Sequence, residues 1–260
     1  MNEVNYKCPI SQSIYQVSAR SVIGERTEQQ DAIHTEVDQD KCLLIVCDGM
    51  GGFEGGSMAS QLAVNEFVRL FDKEQDVIDY EFLSYAMDVV DSKVASIRNS
   101  DNEKIHAGST CVVAYFNNRN LRWLSVGDSR LYIIRNDKIT QMTRDHTVEL
   151  KSRIEYSEGK ITYQEFETAM LERNTLCSYL GINGIGIYDI NERELNLQKD
   201  DVVVLATDGL YKSLTAEEIC KIVMTNNNIS DAMNSLMEKA AQIAKGKNQD
   251  NTSVILCKIN

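Results

Sequence analysis

The chain has 260 residues, 43% hydrophobic and 25% charged, which supplies a sizeable core and rules out wholesale disorder. A net charge of -12 excludes the basic footprint of a nucleic-acid binder and sets the surface against anionic membranes. No apolar run nears the ~18 residues of a membrane span, the opening MNEVNYKCPISQS lacks both regions of a signal peptide, and a lone proline, Pro9, argues against a string of linked domains. The seven cysteines (Cys8, Cys42, Cys47, Cys111, Cys177, Cys220 and Cys257) are odd in number and include no CxxC pair. They read as buried, reduced thiols of a cytoplasmic protein rather than a zinc site.

In chain order, the run at 42–47 predicts a buried strand. Apolar residues at helical spacing follow from Met58 to Phe71 and from Phe82 to Ile97. Strands are predicted at 111–116 and 121–126, with FNNRN as the turn between them, and at 131–135, ending in a second turn signal, RND. Residues 147–175 are polar, Glu- and Arg-rich and weakly helical, and read as an inserted flap subdomain of one catalytic domain spanning 1–260. A strand at 202–206 precedes helices at 216–224 and 232–244. Thr215 with Glu218 forms a capping box for the first, and Ser230 is the expected N-cap of the second. A last strand is predicted at 253–258. Helices and strands do not alternate singly, so a doubly wound parallel sheet is disfavoured. The order predicts an α+β fold: a central antiparallel β-sandwich flanked by helix pairs, in four layers α/β/β/α.

Aspartates recur at strand ends. Asp48 follows CLLIVC, Asp208 follows VVVLAT, Asp128 follows LRWLSVG, Asp250 precedes NTSVILCKI and Asp31 precedes AIHTE. Each alone reads as a turn residue. Five together, with almost no histidine and little lysine nearby, would repel one another and call for a hard divalent cation. All-oxygen donors select Mg²⁺ or Mn²⁺ over zinc. The glycine run DGMGGFEGG lacks the features of a P-loop or dinucleotide fingerprint. It serves instead for close backbone approach, letting the Gly49 carbonyl join a metal shell.

Seven segments, in order, carry a resemblance: GERTEQQDA (24–32), VCDGMGGFEGGSMAS (46–60), GST (108–110), SVGDSRLYIIRNDKITQMTRDHT (125–147), RNTLCSYLG (173–181), LATDGL (205–210) and QDNTSVIL (249–256). The chain resembles the type 2C metal-dependent protein serine/threonine phosphatases (the PPM family) in their compact bacterial form. The resemblance implies the β-sandwich fold and hydrolysis of phosphoserine and phosphothreonine on proteins by a metal-activated water, opposing a serine/threonine kinase. By position it implies that Asp48 bridges two tightly bound Mg²⁺ or Mn²⁺ ions. The Gly49 carbonyl and Asp31 serve one, and Asp208 and Asp250 the other. Asp128 shares a third, weaker ion with Asp208, and Arg26 grips the phosphate. The catalytic set is thus Arg26, Asp48, Asp208 and Asp250, in a monomer acting on phosphorylated proteins, with no nucleic acid and no membrane insertion. The sequence departs from the family pattern in three places: Gln29 and Gln30 before Asp31, Met50 where many members have histidine, and Thr207 before the second Asp-Gly. With Met50 in place, the leaving oxygen takes its proton from elsewhere.

His146 reads as structural, through a turn-closing hydrogen bond, and Met50 and Met58 as packing residues. Two other readings stand beside the phosphatase: a catalytically weak homologue that binds phosphoproteins or a kinase as a regulator, and a Ca²⁺-stabilised interaction domain. Five acids in place disfavour the first, and the absence of an EF-hand loop disfavours the second.

Overall fold

The structure, a computed structural model, describes residues 4–7, 13–51, 55–74, 77–99 and 101–260. Cys8, Pro9 and residues 52–54 of the glycine run lie outside these.

One sheet has the order β1(Val4–Lys7), β2(Tyr15–Val22), β13(Thr252–Ile259), β12(Val202–Ala206), β8(Arg130–Arg135), β9(Lys138–Gln141). The other has the order β10(Asp189–Ile190), β7(Asn120–Val126), β6(Cys111–Asn117), β4(Lys41–Gly51), β3(Asp31–Val37), with β5(Ala107–Ser109) paired to β4 and β11(Leu195–Asn196) to β7. All of these pairings are antiparallel.

Side-chain alternation explains the layers. On β4, Cys42, Leu44 and Val46 face the other sheet, where they meet Val203 and Leu205 of β12. Leu43, Ile45 and Cys47 face outward onto α1(Gly55–Lys73) and α2(Tyr80–Ala95). Val202, Val204 and Ala206 of β12 turn the opposite way, under α6(Ala216–Thr225) and α7(Ile229–Ala244). The expected α/β/β/α sandwich is the observed one. Both faces of each central strand are buried, so these strands read as unbroken apolar runs. Phe67 of α1 is fully buried on the outer face of its sheet, a contribution of roughly 1.5–3 kcal/mol by area.

Several sequence expectations need adjustment. Strand β2 went unpredicted because Ser18, Arg20 and Ser21 interrupt its apolar character. The α7 cap is Asn228, whose side chain accepts from the Asp231 N–H at 2.9 Å, so Ser230 lies inside the first turn. Thr215 and Glu218 do form the capping box of α6. Met58 is 39% exposed and Met50 lines a cleft, so neither is a core residue. His146 is fully buried, and its backbone bonds are long-range rather than turn-closing: its N–H donates to the Gly127 carbonyl at 2.9 Å, and its carbonyl accepts from the Cys177 N–H at 3.0 Å. Among the described cysteines all six are free, five of them buried and Cys177 half-buried.

The polar segment is helical, with α3(Val148–Ser157), α4(Tyr163–Ala169) and a 3-10 turn, Met170–Glu172. Tyr156 and Phe166 pack at 5.3 Å between ring centroids, tying α3 to α4. Its two ends meet through Val148 N–H to the Thr175 carbonyl at 2.8 Å and Glu149 N–H to the Arg173 carbonyl at 3.0 Å. It therefore leaves and rejoins the body at one place. Among the described residues no helix is long and apolar enough to cross a membrane.

Candidate active site

Strand register creates the first pair of acids. Asp31 opens β3 directly opposite Asp48 on β4. Like charges facing across a ladder are destabilising, so this register carries a cost that something else must offset. The second sheet adds Asp208, which starts the short helix α5(Asp208–Tyr211) immediately after β12. Thr207 joins the sheets: its Oγ1 donates to Asp31 Oδ2 at 2.9 Å and accepts from the Ser253 N–H at 2.9 Å. Asp250 sits just before β13, and Asp128 between β7 and β8.

A cleft of about 700 Å³ is lined by Arg26, Asp48, Gly49, Asp128, Asp208 and Asp250, among others. Six of the seven residues expected at the site from the sequence therefore share its wall. The seventh, Asp31, is buried behind it, held by Thr207.

The backbone of Asp48 is fixed by the GST segment. Its N–H donates to Thr110 Oγ1 at 3.0 Å, its carbonyl accepts from the Thr110 N–H at 2.8 Å, and Thr110 Oγ1 lies 2.7 Å from Ser129 Oγ. At Gly49 a Cβ would fall 2.0 Å from the Gly56 carbonyl oxygen, so only glycine lets α1 start this close to β4. Gly209 is under the same constraint, 2.2 Å from the Asn251 carbonyl oxygen.

Arg26 Nη2 donates to Asp250 Oδ2 at 2.7 Å. Its loop is clamped on both sides. Asn251 Oδ1 accepts from the Gln30 N–H at 2.7 Å while its Nδ2 donates to the Ile23 and Glu28 carbonyls. Glu25 accepts from the N–H groups of Gly246 and Gln249. Thr110, Ser129 and Asn251 stand in the sequence motifs without an assigned role; in the structure they hold the acids and Arg26 in place. Lysine is expected to be scarce here, yet Lys212 donates to Asp208 Oδ2. The signal was available, because a lysine four residues after an aspartate in a helix shares its face.

Burial and mutual repulsion dominate the electrostatics. Burial pushes the Asp31 carboxyl up to about 7, the Ser253 and Thr207 hydroxyls offsetting part of the rise and Asp208 and Asp250 adding to it. Asp48 is held well above the usual carboxylate range by burial, then by Asp31, Asp208, Asp128 and Asp250. Asp128 is raised by burial and by Asp208.

These features fit divalent ions. Asp31 Oδ1 and Asp208 Oδ1 are buried with no hydrogen-bond partner among the described residues, an expensive condition that a cation relieves. The donors are all oxygens. Among the described residues no group of three or more His, Cys, Asp or Glu side chains is arranged so that it could hold a metal ion by itself. Carboxylates spread along an open cleft suit a hard ion that keeps several waters, not zinc.

Residues 19–250 match the family described as protein phosphatase 2C. The chain belongs to that family. Relatives within it include the protein phosphatase PhpP of Streptococcus pneumoniae, 26% identical over an alignment of 253 residues, which covers 94% of this chain and 98% of PhpP. The fold is similar to that of the serine/threonine phosphatase of S. agalactiae (TM-score 0.77, 22% identity, 95% of this chain and 100% of that one). It is similar, too, to that of the catalytic domain of the serine/threonine protein phosphatase PstP in complex with two manganese ions (TM-score 0.73, 24% identity, 94% and 98%). Family membership accounts for the ordered motifs: the 2C segments are those that converge on the cleft.

Proposed function

We propose that this protein phosphatase hydrolyses phosphoserine and phosphothreonine on proteins, opposing a serine/threonine kinase, with Mg²⁺ or Mn²⁺ as cofactor. The observation that carries the reading is the buried acid cluster of Asp31, Asp48 and Asp208, two of whose oxygens lack partners. Asp48, the Gly49 carbonyl and Asp31 would hold one ion, and Asp48, Asp208 and Asp250 a second. When bound, such ions supply Lewis acidity and an acidified water able to attack phosphorus near neutral pH.

The chain's own residues do the rest. Arg26 offers a planar fork to two phosphoryl oxygens, a geometry lysine cannot reproduce. Asp250 aims that fork into the cleft. Thr207 fixes the orientation of Asp31, and Thr110 fixes Asp48. Met50, on the cleft wall, has no proton to give, so it plays no part in protonating the leaving oxygen. Asn174 and Leu176 line the cleft at the end of the helical insert, which supports a role for residues 147–175 as a flap that meets the protein substrate.

The test is turnover of an aryl phosphate and a phosphothreonine peptide with Mn²⁺, with Mg²⁺ and with chelator. Hydrolysis of both substrates with either ion, and none with chelator, is expected. Undiminished activity in chelator would overturn the reading.

A further inference from the structure

Asp208 begins α5 and Lys212 follows four residues later, so the helical repeat presents both on one face. Lys212 Nζ hydrogen-bonds Asp208 Oδ2. The lysine stands on a partition. It lines the catalytic cleft and also a neighbouring cavity of about 780 Å³, and both contain Asp128 and Asn174. Asp128 and Asp208 repel one another here, and the Lys212 charge acts on both.

The other nearby cations are engaged. Arg130 is gripped by both Asp145 oxygens, at 2.9 and 2.6 Å, and lies over the Tyr211 ring, 3.6 Å from its centroid. Arg26 is turned to Asp250.

Asp128 and Asp208 are the pair that the resemblance assigns to a third, weak ion. To seat it, the ion would have to displace the ammonium from Asp208, breaking a charge-assisted hydrogen bond. It would then bind beside a positive charge that cannot diffuse away. A tethered group acts at an effective concentration on the order of millimolar or above, which a weakly held ion must outcompete. We propose that the Lys212 ammonium is the cation shared by Asp128 and Asp208, so that this chain binds two divalent ions and no third. Lys212 is then a positioning residue, keeping Asp208 turned toward the cleft. The inference rests on the metal reading above and fixes its ion count.

Calorimetric titration of chelator-stripped protein with Mn²⁺ tests it. Wild type is expected to show two sites and no third up to about 10 mM, a range that covers weak carboxylate sites. Lys212→Met, at a side chain 62% exposed and so tolerant of exchange, should gain a weak third site. Lys212→Arg should remain at two, and the Lys212→Met/Asp128→Asn double variant should return to two. Circular dichroism melts establish that each variant is folded, and Lys212→Ala serves should the methionine variant fail. The rate of Lys212→Met should fall roughly tenfold at low Mn²⁺, as losses around a metal site do, and recover in a second phase at high Mn²⁺. A third site in wild type, or an unchanged count of two in Lys212→Met, overturns the proposal. No ion bound by wild type at all overturns the metal reading itself.

Discussion

The loop at 181–189 and the floor of the cleft both bury aspartates, and they supply them very differently. Around the loop, Asp91 and Asp189 are 3% and 8% exposed; at the cleft, Asp31 and Asp208 are 6% and 9%. Burial is equal, so the contrast lies in the donors. Asp91 accepts from three backbone N–H groups, those of Gly181, Asn183 and Gly184. Asp189 accepts from the Arg144 N–H and guanidinium and lies 3.5 Å from His146. Burial alone would raise the Asp189 carboxyl, yet the nearby His146 and the Arg144 hydrogen bonds hold it down at about 2. Asp31, with hydroxyls as its only donors, is pushed up to about 7. A buried carboxylate that serves the fold is surrounded by N–H donors. The acids kept short of them are those proposed above to take a cation.

The strongest way to break this contrast is to remove a charge on each side. Asp48→Asn and Asp208→Asn should reduce turnover below about one-hundredth of wild type, the scale of loss at metal sites. In chelator Asp48→Asn should melt at a higher temperature than wild type, since it relieves repulsion among the buried acids, whereas Asp208→Asn also weakens the Lys212 ion pair and should gain less. Lower melting temperatures would place these residues with the structural acids. Asp91→Ala should do the reverse. It strands three N–H groups, costs roughly 3 kcal/mol at the usual penalty for unsatisfied buried donors, and leaves turnover per folded molecule unchanged. Urea unfolding paired with active-site titration reads both quantities.

Acid–base behaviour sharpens the contrast, because the two regions have opposite signs. Asp189 is depressed when folded. Its contribution is present above the unfolded value of about 4 and is lost as pH falls toward about 2. Asp31 is raised when folded, so between about 4 and its folded value the native state holds more protons than the unfolded chain. In chelator, stability from Asp31 therefore declines as pH rises through that window and levels off above about 7. Melting curves against pH should lose the first slope in Asp189→Asn and the second in Asp31→Asn. The smallest effect is expected at Thr207. Thr207→Val deprives Asp31 and the Ser253 N–H of a partner, at about 1–2 kcal/mol, whereas Thr207→Ser keeps the hydroxyl and should stay close to wild type by thermal melting.

Why the sequence disclosed some of this and not the rest follows from the same chemistry. Strand β12 is legible residue for residue, since both its faces are buried and nothing polar interrupts it. Strand β4 continues past Cys47 to Gly51 because Gly49 pairs with Ser109 of β5, a partner far away in the chain. An Asp-Gly-Met-Gly run gives no local hint of that. The two-residue strands β10 and β11 exist only through pairing with β7. The acids were found because strand ends are visible in a hydrophobic pattern. Their donors were not: Thr207, Thr110 and Asn251 are ordinary polar residues whose roles depend on contacts 62 to 228 positions distant. Lys212 is legible only once the residues after Asp208 are read as a helix, which puts the two, four positions apart, on one face.

Strand β13 lies between β2 and β12 in the middle of its sheet, although residues 252–259 follow every other element in the chain. During synthesis, then, β2 waits beside an open gap until residues 252–259 have emerged, and pairing across such a sequence distance is slow. Asp250 and Asn251 enter together with that strand, so the Arg26 loop gains its clamp and the cleft its last acid in the same closing step. A nascent chain has no phosphatase to release early: the centre is completed by the strand that completes the sheet.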